Sequence, residues 1–387
     1  MFLSYLECTR CGKRHAPCLV QTVCMDCKGV LFARYDLDQA AQRFSKHALV
    51  SRVRNMWRYR ELLPVRDESN IVTLGEGYTS ILPLTRVGGK VGLKELFMKD
   101  DGLIPTGTFK ARGMAAAISR CVELGVGKVA VATAGNAGAA MAAYASRAGI
   151  ESYVYMPKDT PEPIRRECEV YGARVTLVDG TIADAGKRVD ELSLRNNWMT
   201  LSTMNEPYRV EGKKTMGFEI AEQFEWRTPD VVVYPTGGGT GIVGMWKAFE
   251  ELEKIGWINQ KRPRFVAVQS SGCAPVVKAF QEGKESCEFW HDASTVAAGL
   301  RVPKAYGDYL ILRAIRESHG TAIAVSDKEI LNAMKELART EGVCVCPEGA
   351  ATYACLPKLQ DDGFLDKDEQ VLLYNTGIGI LYPDLIK

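Results

Sequence analysis

Residues 230–249 read DVVVYPTGGGTGIVGMWKAF, and this stretch decides how we interpret the rest of the chain. An apolar run typical of a buried strand, residues 231–234, leads into a glycine-rich turn, and apolar residues at helical spacing follow. Backbone N–H groups at a helix N-terminus, with the positive end of the helix dipole, favour an anion, and glycines let a phosphate approach closely. We therefore predict a phosphate-binding loop formed by Gly237, Gly238, Gly239, Thr240 and Gly241.

The same loop also contains a literal GxGxxG pattern at residues 239–244, which raises the alternative of dinucleotide binding. Such a site needs an acidic residue roughly 20 positions further on, near the end of the next strand. Here the next apolar run ends in Gln269 and Ser270, so the dinucleotide alternative is disfavoured. The remaining alternative is a turn whose glycines only let the helix pack on the strand.

Strand and helix signals alternate from about residue 95 to the end of the chain. Short apolar runs predict strands at residues 96–99, 129–133, 153–156, 175–178, 231–234, 265–269 and 371–374. Helical spacing predicts helices at residues 110–124, 137–148, 209–223, 241–255 and 327–341. This alternation, with nearly continuous apolar strands, predicts a mostly parallel, doubly wound α/β architecture. Residues 284–307 cannot be assigned to a strand or a helix from their pattern.

Composition excludes several classes of protein. The chain has 387 residues, which suggests two or three domains, and its 46% hydrophobic and 25% charged residues are ordinary for a globular protein. A net charge of +2 gives no strong field for nucleic acid or anionic lipid. No apolar run approaches the ~20 residues of a membrane span, and the start lacks signal-peptide features. We expect a cytoplasmic protein without nucleic-acid or membrane partners.

Lys110 opens a predicted helix directly after the turn PTGTF at residues 105–109. A lysine at this end of a helix faces the positive end of the dipole, which costs stability. The position is easier to explain if the amine is consumed in an imine, and burial would make that amine more nucleophilic. The alternative is a solvated lysine at a helix start.

Two other turns carry polar groups after predicted strands. In ATAGNAG, residues 132–138, backbone donors of the turn can hold a carboxylate while the Asn136 amide binds a phenolate; the alternative is that Asn136 only caps its helix. Thr376 follows the last strand, in YNTGIG at residues 374–379. Its hydroxyl can bond a neutral pyridine nitrogen or merely its own turn.

Taken together, these motifs resemble those of the fold-type II pyridoxal-phosphate (PLP) enzymes, and within them the threonine synthases. The matching segments run through nearly the whole chain: the N-terminal CxxC pairs and residues 73–79, 105–113, 133–140, 209–215, 235–241, 347–351 and 376–379. The resemblance implies two parallel-sheet domains like those of the tryptophan synthase β family. It also implies that Lys110 holds PLP as a Schiff base, Asn136 contacts its 3′-oxygen, the loop at 237–241 binds its phosphate and Thr376 faces its pyridine nitrogen.

The resemblance further implies an activity. A hydroxyl opposite the pyridine nitrogen leaves the ring a weaker electron sink, which suits β- and γ-elimination or replacement with Lys110 as acid and base. The expected reaction converts O-phosphohomoserine and water to threonine and phosphate, in a homodimer. Expected substrate-binding residues are Thr133, Ala134, Gly135, Lys214 and Thr215. The charged run at residues 209–215 has the alternative of an exposed basic face.

Three departures from the threonine synthase pattern concern the substrate. They are Ala111 after the lysine, Ala134 and Ala137 where hydroxyls are common, and Ile380-Leu381 where Leu-Lys is common. They weaken the expectation of a phosphorylated substrate without touching the cofactor residues. The alternatives are a related eliminase or β-replacement enzyme (a serine/threonine dehydratase or a cysteate-synthase-like activity) and, in another class, a non-catalytic binding protein on the same scaffold.

The N-terminus carries two CxxC pairs separated by twelve residues, and this spacing fits a tetrahedral four-thiolate zinc ribbon formed by Cys8, Cys11, Cys24 and Cys27. A module of some thirty residues has little core, so metal would supply its folding energy. The alternative is four reduced thiols in a small β-module. Cys18 and His15 are not expected to be ligands, and the other seven cysteines are expected to be core residues.

These signals predict a domain organisation. We expect a zinc-ribbon-like module at residues 1–35 and a helical connector at 36–70. A large PLP-binding domain is expected from residues 71–104 and 226–387, and a small α/β domain from 105–225.

Overall fold

The computed structural model describes residues 1–133, 135–160 and 162–386. The strands are β1 (Leu3–Cys8), β2 (Arg14–His15), β3 (Leu31–Tyr35), β4 (Ile81–Pro83), β5 (Glu95–Asp100), β6 (Lys128–Ala132), β7 (Glu151–Pro157), β8 (Arg174–Val178), β9 (Met199–Thr200), β10 (Val231–Pro235), β11 (Arg264–Ser270), β12 (Thr321–Val325) and β13 (Gln370–Asn375). The α-helices are α1 (Leu37–Arg43), α2 (Thr85–Lys90), α3 (Lys110–Glu123), α4 (Asn136–Ala148), α5 (Glu162–Val170), α6 (Ile182–Asn196), α7 (Arg209–Gln223), α8 (Thr240–Lys254), α9 (Pro275–Gln281), α10 (Asp308–Glu317), α11 (Asp327–Glu341), α12 (Pro347–Ala354) and α13 (Leu356–Asp361).

The chain divides into two compact units. The first contains Met1–Tyr78, Lys110–Thr215 and Lys254–Gly256. The second contains Thr79–Phe109, Met216–Glu253 and Trp257–Lys387. The domain boundaries predicted from the sequence stay predictions. Among the described residues, no helix has both the length and the apolar character needed to cross a membrane.

The first unit begins with a small antiparallel sheet in the order β2-β1-β3. Leu6 pairs with His15 on one side and with Ala33 on the other, and its side chain is fully buried. Cys8 ends β1 and Cys11 lies in the turn that follows it, whereas Cys24 and Cys27 lie in the connection between β2 and β3. Gly29 is required there, because a Cβ at this position would lie 2.7 Å from Cys8 Sγ.

The first unit also holds a parallel sheet in the order β8-β7-β6-β9. Its core contains Ala130, Tyr153, Tyr155, Ala185 and Val189, contributed by β6, β7 and α6. The Tyr153 ring stacks on Trp198 with 3.9 Å between centroids.

Helices α3 and α7 approach each other backbone to backbone within the first unit. A Cβ on Gly212 of α7 would lie 2.0 Å from the carbonyl oxygen of Arg112 in α3. A Cβ on Gly113 would lie 3.1 Å from the carbonyl oxygen of Arg209. The separation requires glycine at position 212 and leaves only a tight fit for a Cβ at position 113, so the helix that begins at Lys110 lies against the start of α7.

We predict that Gly212→Ala destabilises the protein by at least about 1–3 kcal/mol, since the new methyl meets backbone that cannot move like a side chain. Gly186→Ala in α6 is the matched control: its Cβ meets nothing within 4 Å, and alanine gains up to about 1 kcal/mol of helix propensity. Urea denaturation of both variants measures the difference. Equal free energies of unfolding for the two would contradict the close approach of α3 and α7.

The second unit is built on a sheet in the order β12-β11-β10-β13-β5-β4. Neighbouring strands are parallel except β4, which runs antiparallel to β5. Val233 at the centre pairs with Val266 on β11 and with Leu373 on β13, and all three are fully buried. The parallel, nearly continuous apolar strands confirm the predicted α/β class.

A buried ion pair joins β5 to the second half of α7 inside the second unit. Lys99 Nζ lies 2.9 Å from Glu219 Oε2, and both side chains are fully buried. Lys99 also donates to the Thr79 carbonyl at 2.9 Å and to Gln223 Oε1 at 2.8 Å. The ammonium group therefore has several acceptors besides the carboxylate.

Candidate active site

The glycine loop joins the end of β10 to the start of α8, as the sequence predicts. Gly239 has φ +80°, a left-handed conformation that favours glycine. A Cβ on Gly237 would lie 2.1 Å from the Gly299 carbonyl oxygen, and one on Gly241 would lie 1.9 Å from the Tyr234 hydroxyl. Since the first N–H groups of a helix have no intrahelical acceptor, the loop presents backbone donors at the positive end of α8.

Thr376 follows β13, the strand next to β10 in the same sheet. Because carboxyl ends of parallel neighbours lie at one edge, the glycine loop and the Thr376 turn emerge at the same edge of the second unit. Strand β13 is the last in the chain but lies between β10 and β5 in this sheet. Thr376 is 6% exposed, and the Tyr234 and Tyr374 rings pack at 5.2 Å nearby.

The segment that precedes Lys110 is bonded to the Thr376 turn. Phe109 N–H donates to the Thr376 carbonyl at 2.9 Å, and Thr108 forms a β-bridge with Gly377. Lys110 is the next residue in the chain, half-buried, and begins α3. Thr106 in this segment has φ +61°, which is rare for a β-branched residue and marks a strained turn.

Asn136 begins α4 directly after β6 and its turn. The Thr133 hydroxyl accepts the Gly135 N–H at 3.0 Å, which closes the turn before the helix. Gly138 packs against Thr133 Cγ2 and Val154, so the helix starts close to the sheet. Ala134, expected to bind substrate, lies outside the described residues.

The charged run at residues 209–215 is buried, so the alternative of an exposed basic face is wrong. Lys214 is fully buried and lies 2.7 Å from Glu211. Thr215 donates to the Gly212 carbonyl at 2.7 Å and lies 3.1 Å from Arg112 Nη1. Lys214 and Thr215 are therefore brought together in the interior of the first unit, beside the helix that begins at Lys110.

Arg209 is held by the chain that precedes it. It donates to the Leu201 carbonyl at 2.7 Å, and its own N–H donates to Glu206 at 2.9 Å. Burial raises the pKa of Glu206 to about 7, although Arg209 and two backbone N–H groups oppose that shift. Burial also lowers the pKa of Arg209.

The four predicted zinc ligands converge in the N-terminal module. Their sulfur atoms all lie within 4.8 Å of one another. The Cys8–Cys27, Cys11–Cys27 and Cys11–Cys24 distances are 3.4, 3.5 and 3.7 Å. A tetrahedral site with zinc–sulfur distances of 2.3 Å has sulfur–sulfur edges of about 3.8 Å, so the donor set fits zinc. Of the seven cysteines beyond residue 35, six are buried as expected, whereas Cys344 is exposed.

Sequence reasoning missed the polar residues around Thr376. Asn375 Nδ2 donates to Asp100 Oδ1 at 2.7 Å, and Cys346 Sγ lies 3.6 Å from Thr376 Oγ1. Burial raises the pKa of the Cys346 thiol, which keeps it neutral. The only local signal was the Cys346-Pro347 pair at a helix start, where proline is common.

The residues present fit PLP. Backbone donors at the start of α8 suit a phosphate, and the Thr376 hydroxyl suits a ring nitrogen. In the described parts of the chain, the buried hydroxyls of Thr106 and Thr108 have no hydrogen-bond partner. Buried polar atoms of this kind call for an explanation, and a ligand beside the Lys110 segment supplies one.

Comparison with known proteins also points to a PLP-dependent enzyme. The sequence profile described as pyridoxal-phosphate dependent enzyme matches residues 72–377. The threonine synthase of Methanocaldococcus jannaschii is 37% identical over 379 residues, covering 98% of this chain and 93% of its own. The threonine synthase of Methanosarcina acetivorans is 37% identical over 374 residues, covering 96% and 91%.

Two solved structures share the fold. Maize serine racemase superposes with a TM-score of 0.70 at 23% identity, covering 87% of this chain and 98% of its own. Diaminopropionate ammonia lyase from Escherichia coli gives a TM-score of 0.71 at 18% identity, covering 82% and 89%. With the profile spanning residues 72–377 and relatives that align over nearly the whole length, this chain belongs to the family of pyridoxal-phosphate-dependent enzymes.

Proposed function

We propose that this protein is a threonine synthase, which converts O-phosphohomoserine and water to threonine and phosphate. One observation carries the proposal: the curated relatives named threonine synthase align with 96–98% of the chain at 37% identity. The first of these alignments leaves out only 2% of the chain, and the family profile at residues 72–377 contains the glycine loop, the Lys110 segment and the Thr376 turn.

The proposed cofactor residues are those that the resemblance to the fold-type II enzymes implies, and the chemistry of each position is compatible with its role. Lys110 supplies the amine that attaches PLP and afterwards holds or moves protons at Cα and Cβ of the substrate. The phosphate is bound by Gly237, Gly238, Gly239, Thr240 and Gly241. The Asn136 amide would face the 3′-oxygen, and the Thr376 hydroxyl would face the pyridine nitrogen. When bound, PLP withdraws electrons from the substrate's Cα.

The proposed substrate residues lie in the first unit. The turn of Thr133, Ala134 and Gly135 offers backbone donors for the substrate carboxylate. Lys214 and Thr215 are proposed to recognise the substrate's anionic end. Because Lys214 is paired with Glu211 and Thr215 with Arg112, any direct contact with substrate requires these partners to be exchanged.

The test is a substrate panel on one preparation of holoenzyme. Release of inorganic phosphate from O-phosphohomoserine, with threonine formed in equal amount, is the expected result. The second candidate, a related eliminase, is favoured by Ala137, which is buried at the start of α4 without the hydroxyl common in threonine synthases. Pyruvate from serine or 2-oxobutyrate from threonine, without phosphate release from O-phosphohomoserine, would replace the first proposal with the second.

We also propose that Cys8, Cys11, Cys24 and Cys27 bind one structural zinc ion. The sulfur–sulfur distances near a tetrahedral edge support this. The module's small core, centred on Leu6, supports it further, because a structural metal contributes folding free energy directly. The homodimer and the cytoplasmic location predicted from the sequence stay predictions.

Removing one thiolate should release this metal. We expect Cys24→Ser to lower bound zinc from about one to near zero per chain and to lower the thermal unfolding midpoint, because zinc prefers four closed ligands in structural sites. Cys18→Ser is the matched control, since Cys18 lies in the same module, exposed and outside the cluster. Elemental analysis measures the zinc content per chain of both variants. A full zinc complement in Cys24→Ser would refute the site.

A further inference from the structure

Cys346 and Thr376 are linked by a chain of hydrogen bonds inside the second unit. Asp100 Oδ1 accepts both the Gly102 N–H at 2.8 Å and Asn375 Nδ2 at 2.7 Å. This arrangement turns the other end of the Asn375 amide, Oδ1, towards Cys346. Cys346 approaches that oxygen with its N–H at 3.3 Å and with its Sγ at 3.4 Å.

The orientation of Asn375 decides where the thiol hydrogen goes. An amide oxygen only accepts, so in the 3.4 Å contact between Cys346 Sγ and Asn375 Oδ1 the thiol is the donor. The sulfur itself accepts the Gly349 N–H at 3.3 Å, which caps α12. Towards Thr376 Oγ1, 3.6 Å away, Cys346 therefore presents sulfur lone pairs, and the Thr376 hydroxyl is the donor of that contact.

Sulfur is a weak hydrogen-bond acceptor. A hydroxyl that donates to sulfur therefore loses little hydrogen-bond free energy when it turns to a better acceptor, such as a pyridine nitrogen. An oxygen in place of the sulfur would hold the same hydrogen more strongly and compete with the ring. The Thr376 turn is pinned through its backbone by Phe109 and Cys346, so rotation of the hydroxyl is the remaining freedom.

We propose that Cys346 keeps Thr376 available to the cofactor: because its sulfur is a weak acceptor, the Thr376 hydroxyl remains free to turn and donate to the pyridine nitrogen. The inference rests on the proposed function, in which Thr376 faces that nitrogen. It assigns a role to a buried thiol that neither touches the reacting atoms nor binds metal.

The test compares Cys346→Ser and Cys346→Ala holoenzymes, each with Thr376 and with Thr376→Val. The readouts are the dissociation constant of PLP, by titration of the apo-protein, and the absorbance spectrum of the bound cofactor. We expect Cys346→Ser to weaken PLP binding about fivefold, the size of one competing hydrogen bond, and to alter the spectrum. Cys346→Ala should stay within about twofold, since no competing acceptor is introduced. In the Thr376→Val background, Cys346→Ser and Cys346→Ala should have equal effects on the dissociation constant of PLP.

A purely structural role predicts something else. If the thiol serves only as the cap of α12, the Ser and Ala variants should differ in thermal unfolding midpoint. Their effects on PLP affinity should then not depend on whether residue 376 is Thr or Val. Cys355→Ser is the matched control, because Cys355 is an equally buried thiol at the end of α12 that donates to the Thr352 carbonyl. It should leave PLP affinity unchanged.

Two failures are distinguishable. If the unaltered protein binds no PLP, the proposed function fails. If it binds PLP but Cys346→Ser matches the unaltered protein, or its effect persists with Thr376→Val, the role of Cys346 is overturned while the proposed function stands.

Discussion

Lys110→Ala should remove the absorbance band of the imine between PLP and lysine, leaving that of the unattached aldehyde, and lower kcat by about 10²–10⁴-fold or more. The substitution removes both the amine that attaches the cofactor and the group that moves protons at Cα and Cβ. Cofactor held only by the glycine loop and the Thr376 turn should still bind, more weakly. Absorbance spectroscopy and single-turnover assays measure the two effects separately.

Borohydride reduction followed by peptide mass analysis identifies the attachment point directly. The expected result is a cofactor adduct on the peptide that contains Lys110, and none in Lys110→Ala. Lys128→Ala is the control, because Lys128 is an exposed lysine on β6 that pairs only loosely with Glu151, at 3.7 Å. An adduct on another lysine, or full activity in Lys110→Ala, would disprove the assignment.

Lys99→Met should destabilise the protein by about 3–5 kcal/mol, because it leaves the Glu219 carboxylate in the interior without its cation. Thr79 and Gln223 would also lose their shared donor. The free energy of unfolding in urea measures the loss.

Two further variants make that test specific. Lys99→Met combined with Glu219→Leu should recover most of the stability, since an apolar pair replaces a buried ion pair at little cost. Lys94→Met removes a partner of Asp368 in an exposed pair, with side chains 67% and 58% exposed, and should cost less than about 1 kcal/mol. A loss for Lys99→Met no larger than for Lys94→Met would show that the buried pair is not needed.

Much of the fold was predictable because its signals are local. The strand predicted at 231–234 is β10, and the helix predicted at 327–341 is α11. Helix α11 is bounded by a capping box at Ser326 and a left-handed Gly342, which are features of a few neighbouring residues. The glycine loop was predictable for the same reason, since strand, turn and helix follow one another directly.

The structural features that the sequence did not predict depend mostly on contacts between residues far apart in the chain. Strand β12, TAIAV, was not predicted, because five small or branched residues at a sheet edge resemble many loops. Residues 284–307 form a long connection whose Ala298–Leu300 turn reaches the glycine loop through Gly299. The contact of Cys346 with Thr376 spans 30 residues and exists only once β13 lies beside the start of α12. No local pattern encodes such a contact.

The N-terminal module binds a residue that is synthesised much later. The Tyr35 hydroxyl donates to Glu211 at 2.8 Å, and Lys214 lies 3.9 Å above the Tyr35 ring, within the first unit. These partners are separated by 176 residues. At ribosomal rates of roughly 5–20 residues per second, the nascent module waits about 10–35 s for Glu211 to emerge. During that interval only contacts within the module are available to it, so removing the zinc proposed for its four cysteines should reduce the yield of newly made protein more than the stability of finished protein.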